Sequence, residues 1–207
     1  MVFILLSFVL VAMRQIQSAV RVFVAQSIVL ALSTFVLALV HHAPGLALVG
    51  LITLASKAVV IPAVLARTLA PEARRRREIE TAVNLPTSLL LMLGLTVLAY
   101  FLVAPYTGLA ADAAINLPVG FAAVLIGVYT LAVRREAVAQ VLALMAIDNG
   151  AFFAGIAITT SSAIEELAAG LEGIMVVVVV ALLTRTIAQQ LGSTDVRALA
   201  ELREESP

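Results

Sequence analysis

Cysteine and tryptophan are absent from this sequence of 207 residues, and Lys57 is its only lysine. Without cysteine the chain can form no disulfide, thiolate nucleophile or cysteine-ligated iron–sulfur cluster. Charged residues make up only 13% and the formal net charge is zero, which argues against nucleic acid as a partner. Phosphate-binding glycine loops, nucleophile elbows and metal-ligand clusters are also missing. We therefore predict no bond chemistry and no cofactor in this chain.

Apolar residues dominate what remains, at 62% of the sequence with a mean hydropathy of +1.11. Soluble domains are nearer half apolar and a quarter charged, so the composition predicts an integral membrane protein. We expect an all-α, polytopic helix bundle in a bacterial or archaeal cell (inner) membrane. Its first span is short of the roughly 20 residues that a full crossing needs. Seven spans are predicted, at about 1–15, 20–40, 45–66, 83–104, 114–133, 138–159 and 164–184.

The arginines predict the orientation of these spans. With seven spans, all twelve arginines fall in the loops or termini of one side, including the break from Arg14 to Arg21 and the Arg134-Arg135 pair. Cytoplasmic loops carry such an excess of basic residues. We therefore expect the N-terminus outside and the C-terminus in the cytoplasm. Residues 1–110 are predicted as an N-terminal group of about four spans, 111–188 as a three-helix unit, and 189–207 as a cytoplasmic tail.

Lys57 lies about halfway along a span, where a lone ammonium costs about 2.5–3.5 kcal/mol on insertion scales. Asp148 lies near the centre of the sixth span, and Glu172 lies about two turns deeper in the seventh span than Glu166. Such residues are functional candidates by default, so the sequence predicts a proton or ion route. The alternatives are an interhelical hydrogen bond from protonated Asp148, or a plain ion pair of Lys57 with Asp148 or Glu172.

Small residues in the sixth span indicate that it packs against protein. Gly150, Ala154 and Ala157 lie on nearby faces and allow another backbone to approach closely. The third span contains Pro62, where we expect a kink.

Six short runs along the chain carry a resemblance to a known family, and they are Val24–Ser27, Ser56–Pro62, Ile147–Ala151, Glu165–Leu167, Leu171–Gly173 and Ser193–Val196. They resemble the hydrogenase-4 component E family, whose members are membrane subunits of group 4 [NiFe] hydrogenases and formate hydrogenlyase-type complexes. The resemblance covers nearly the whole chain, with its motifs in the right order and spacing. The last three spans are also similar to subunit K of NADH-quinone oxidoreductase, respiratory complex I, and to the small C subunit of Mrp-type antiporters.

The resemblance implies a non-catalytic membrane-arm subunit of an energy-converting hydrogenase. The similarity to subunit K places Asp148 and Glu172 at the two membrane glutamates of that family, and Asp148 is one methylene shorter than the usual residue. Glu166 corresponds to the family's outer acid, and Lys57 is interpreted as a residue that tunes this carboxylate relay. The implied partners are antiporter-like membrane subunits and a peripheral hydrogenase-like arm that holds the NiFe centre and iron–sulfur clusters. The alternatives are a subunit of an Mrp-type cation/proton antiporter and a purely structural scaffold.

Overall fold

The computed structural model describes residues 1–63, 83–106, 113–135 and 137–156, and these ranges form helices without a β-strand. The predicted seventh span, with Glu166 and Glu172, and the tail at 189–207 lie outside the described residues. The prediction of an all-α fold is confirmed for the described ranges. Their helices are α1 Val2–Ala12, α2 Ile16–Val40, α3 Pro44–Ala63, α4 Leu85–Val103, α5 Ala113–Val133 and α6 Ala137–Gly155.

Five of these helices, α2 to α6, are long and apolar enough to cross a membrane. The longest, α2, has 25 residues and extends for about 37 Å. The first helix is apolar but has only 11 residues, in agreement with the short first span expected from the sequence. The described helices are thus compatible with a multi-pass membrane protein, while the total of seven spans and the membrane orientation stay predictions.

The connection between α1 and α2 is shorter than predicted, because α2 begins at Ile16 and the expected break extended to Arg21. Ile16 and Ala19 are 2% and 3% exposed, so the first turn of α2 already packs into the core. Arg21 is exposed on the other face of that turn. Burial of apolar side chains three residues apart favours helix here, and the long arginine side chain reaches solvent from the helix surface.

A π-helical turn over Leu54–Val60 interrupts the α-helical geometry of α3. The Ile61 N–H donates to the carbonyl of Ser56, five residues earlier. Pro62 follows directly, has no N–H of its own, and in α-helical geometry its ring would crowd the carbonyl of Ala58. The chain therefore accommodates Pro62 with a wider turn, while the kink expected from the sequence stays a prediction. Lys57 lies within this turn.

Helices α5 and α6 pack closely through small residues. A Cβ added to Gly120 would lie 2.7 Å from both Cα and Cβ of Ala154, and one added to Gly150 would lie 2.7 Å from the backbone nitrogen of Val124. Only glycine permits such a backbone approach. The prediction of close packing is confirmed at Gly150 and Ala154, and Ala157 lies outside the described residues.

Two apolar clusters form the core. On α2, α3 and α6 the two clusters lie at different levels, and the larger one also includes residues of α1, α4 and α5. Polar and charged side chains occupy the level between them on α2, α3 and α6. The first cluster, called the basic-end cluster, contains Leu10, Ile16, Ala19, Phe23, Ile61, Val138, Ala139, Val141, Leu142, Met145 and Ala146. The second, called the large cluster, includes Phe3, Leu30, Leu37, Leu46, Met92, Val119, Ile126 and Phe153.

Candidate functional site: a buried ion pair in a polar layer

Lys57 and Asp148 form an ion pair inside the helix bundle. Lys57 Nζ lies 2.5 Å from Asp148 Oδ2, and the two residues are 91 positions apart in the sequence. The Lys57 side chain is 2% exposed and that of Asp148 is 19% exposed. The lysine is therefore enclosed, whereas the carboxylate keeps limited access from the surface of the bundle.

Phe152 also contacts the lysine. Its ring centroid lies 5.8 Å from Lys57 Nζ, within the range of a cation–π contact. Phe152 follows Asp148 by four residues, so one face of α6 presents both side chains. On α3, Lys57 belongs to the π-helical turn, and its ammonium meets this face of α6.

Burial makes this pair costly to break. Two charges lose their hydration in a bundle interior, and removal of one partner from a buried pair typically costs about 3–5 kcal/mol because the other charge stays behind. Each charge of the pair therefore depends on the other for its compensation inside the bundle.

A second set of polar residues lies next to the pair, and all its members are buried. Asn149 Nδ2 donates to Ser27 Oγ at 3.1 Å and to Gln26 Oε1 at 3.5 Å. Gln26 Nε2 in turn donates to Ser7 Oγ at 2.9 Å. This amide–hydroxyl network connects α6 through α2 to α1. Together with the ion pair it forms a polar layer of four helices.

Arg134 is a buried residue with a structural contact that the sequence did not reveal. Its side chain is at the end of α5, is 3% exposed, and its Nη2 lies 3.4, 2.5 and 3.0 Å from the carbonyl oxygens of Leu10, Val11 and Met13. The last carbonyls of a helix have no partner within the helix and carry a partial negative charge, which a guanidinium satisfies. Arg134 thus joins the C-terminal ends of α1 and α5 at one end of the bundle.

Comparison with known proteins finds a relative that matches nearly the whole chain. The chain is 32% identical over 203 residues to the uncharacterized protein Rv0085 of Mycobacterium tuberculosis, and this covers 97% of the chain and 92% of that protein. The chain belongs to the Rv0085 family. No family model and no solved structure matches it. Because the relationship spans nearly both proteins, it extends over the complete helix bundle and beyond any single motif.

For this Rv0085-family chain, sequence reasoning found the two charged residues of the ion pair but left the partner of Lys57 open. The structure pairs it with Asp148, while Glu166 and Glu172 lie outside the described residues. Within the described ranges no group of three or more histidine, aspartate or glutamate side chains is placed to hold a metal ion.

The amide–hydroxyl network of the Rv0085-family chain was missed. Gln26, Ser27 and Asn149 were noted only as parts of matching runs. A signal was available, since amide side chains within long apolar helices hydrogen-bond to partners on neighbouring helices.

Proposed function

We propose that this chain is a non-catalytic membrane-arm subunit of an energy-converting, hydrogenase-like complex related to complex I, and that it takes part in proton translocation. The Lys57–Asp148 pair carries the proposal. A charged pair with a 2.5 Å contact, between two apolar helices and near the middle of each, is expensive to bury. A scaffold could use uncharged side chains, as the amide–hydroxyl network beside it does.

Asp148 is proposed to exchange a proton with neighbouring groups, and Lys57 to adjust how readily it does so. The partial exposure of the carboxylate supports these separate roles for the two residues, because a proton can reach Asp148 while Lys57 remains enclosed. Glu172 and Glu166 are proposed as further acids of the relay. Electron transfer in a peripheral arm, whose subunits hold the NiFe centre and iron–sulfur clusters, would drive the change. The proposed location is the cell membrane, with antiporter-like subunits as neighbours.

The test uses the complex purified with its native partners and reconstituted into vesicles. Asp148→Asn and the double variant Lys57→Met/Asp148→Leu are compared with the parent for assembly, electron transfer and acidification of the vesicle lumen. The double variant removes both charges together, so no uncompensated charge stays buried. We expect the double variant to assemble and transfer electrons while it loses most of the proton translocation.

The scaffold alternative predicts a different pattern, and the amide–hydroxyl network gives it some support because these bonds also lock helices together. In a scaffold, Asp148→Asn lowers assembly, and the double variant restores both assembly and proton translocation. That result would overturn the relay. The antiporter alternative predicts co-purification with antiporter-like subunits alone, and cation/proton exchange without an electron donor.

A further inference from the structure

The side-chain oxygen of Asn149 is a buried acceptor that no donor among the described residues satisfies. The residue is fully buried, and its Nδ2 donates to Ser27 Oγ and Gln26 Oε1. Its Oδ1 accepts no hydrogen bond from the described residues. Buried polar atoms in folded proteins are nearly always paired with protein groups or ordered water.

Reversal of the Asn149 amide does not solve this problem, because the hydroxyl groups of the network determine its direction. Ser27 Oγ donates to the carbonyl of Phe23 at 3.0 Å, so it has only an acceptor left for Asn149. A reversed amide would turn Oδ1 towards two acceptors, Ser27 Oγ and Gln26 Oε1. The observed direction is therefore the one that leaves the fewest groups without partners.

The same constraint repeats one step further along the network. Ser7 Oγ donates to the carbonyl of Phe3 at 3.3 Å, so it must accept from Gln26 Nε2. Gln26 therefore presents Oε1, an acceptor, to Asn149. Asn149 must donate to this acceptor with Nδ2. Two independent hydroxyls on α1 and α2 thus direct Asn149 Oδ1 away from the network.

We propose that Asn149 Oδ1 binds a buried water molecule, which donates a hydrogen bond to it. Water is the donor that buried polar atoms most often recruit when no protein group reaches them, as at Asn149 Oδ1 among the described residues. The site lies one residue from Asp148 and so brings a water molecule to the level of the ion pair. It would do so whether or not the chain translocates protons, and the inference therefore goes beyond the proposed function.

The experiment uses the full-length chain in deuterated lipid bilayers with asparagine as the only labelled residue type, carrying ¹³C and ¹⁵N. Asparagine occurs only at positions 84, 116 and 149, so three side-chain carbonyls are observed. Solid-state NMR then measures polarisation transfer from water protons to each Cγ, at mixing times too short for amide protons to exchange. Asn84 is exposed at the start of α4 and serves as the positive reference.

We expect a water cross-peak at Asn149 Cγ as well as at Asn84 Cγ. The Asn149→Leu variant assigns the peak, and if that variant does not fold, Asn84→Gln and Asn116→Gln assign it by elimination. The absence of transfer to Asn149 while Asn84 receives it would overturn the proposal. Transfer from a serine or threonine hydroxyl of the chain, in place of water, would overturn it equally.

Discussion

At the scale of single residues, two basic side chains of this protein are buried for different reasons. Lys57 meets a carboxylate on another helix, and Arg134 meets the carbonyl oxygens at the end of α1. The lysine ends in a compact point charge that one acid can balance. The guanidinium presents several donors in one plane and can satisfy a group of carbonyls together. The first thus balances one carboxylate, and the second holds a helix end.

Arg134→Met is expected to loosen the attachment of α1. The substitution retains much of the apolar stem but removes the donors to the α1 carbonyls, and hydrogen bonds to charged groups contribute about 1.5–3 kcal/mol each. The free energy of unfolding in mixed micelles, together with hydrogen exchange of α1, measures the effect. Arg135→Met is the matched control, because Arg135 is exposed and its replacement should change stability by less than about 0.5 kcal/mol. Equal losses in the two variants would contradict the helix-end role of Arg134.

At the scale of helices, the distribution of apolar residues does not specify which two helices pack together. The apolar residues of these helices lie on all faces, and large side chains such as Leu90, Leu93 and Phe101 of α4 remain exposed. Close packing instead depends on where a side chain is missing, as at Gly120 and Gly150 between α5 and α6. These glycines also determine the position of α6, and with it that of Asp148.

Gly120→Ala is expected to destabilise the α5–α6 pair. The new Cβ would overlap the backbone of Ala154, which cannot rotate away, and overpacking of this kind typically costs about 1–3 kcal/mol. Gly94→Ala provides the control, because a Cβ at Gly94 meets no atom within 4 Å. There alanine should be neutral or stabilise the helix by up to about 1 kcal/mol. Unfolding of both variants in micelles decides the matter, and an unchanged Gly120→Ala protein would exclude the close contact.

Pro62→Ala is expected to weaken the ion pair through the geometry of α3. Alanine restores a backbone N–H and removes the ring, so the π-helical turn can revert to an α-helix and rotate Lys57 relative to Ile61. Because Lys57 is the only lysine, ¹⁵Nζ labelling gives one signal. Its dipolar coupling to the ¹³Cγ of labelled aspartate measures the Lys57–Asp148 distance. A coupling as strong as in the parent would show that the turn forms without the proline.

At the scale of the whole molecule, the described helices have a distinguishable basic end. Arg134 binds the end of α1, and Leu10, Ile61 and Val138 meet in the basic-end cluster. The connections that carry Arg14 and Arg135 therefore lie at the same end of the bundle. This is the arrangement that the arginine distribution predicts for a cytoplasmic side.

The membrane orientation can be tested with introduced cysteines, because the native chain has none to react. His42 and Arg135 are both exposed, and they belong to connections predicted on opposite sides. We expect a membrane-impermeant maleimide to label the His42→Cys variant on intact cells and the Arg135→Cys variant only after permeabilisation. The reverse pattern would contradict an external N-terminus.

The sequence alone predicted most helix positions to within a few residues, because long apolar segments leave the backbone few other ways to satisfy its hydrogen bonds. The start of α2 was wrong because Arg14 and Arg21 were both assigned to one connection. Lys57 and Asp148 were identified as candidates from the cost of charge among apolar residues. Arg134 was not identified as a candidate, because an arginine at a helix end looks the same in the sequence whether its side chain is solvated or buried.

Helical class, apolar character and the positions of charge were thus determined by the sequence, because each depends on residues close together in the chain. The pairing of Lys57 with Asp148, the link from Asn149 to Ser7 and the binding of α1 by Arg134 were decided only by the tertiary structure. Lys57 and Asp148 are 91 positions apart, and Arg134 is 123 positions from Val11. Asn149 reaches Ser7 through Gln26, which lies on a third helix. The physical reason is that small-residue contacts and polar partners on other helices determine which helices pack together. The order of residues within one helix does not specify those partners.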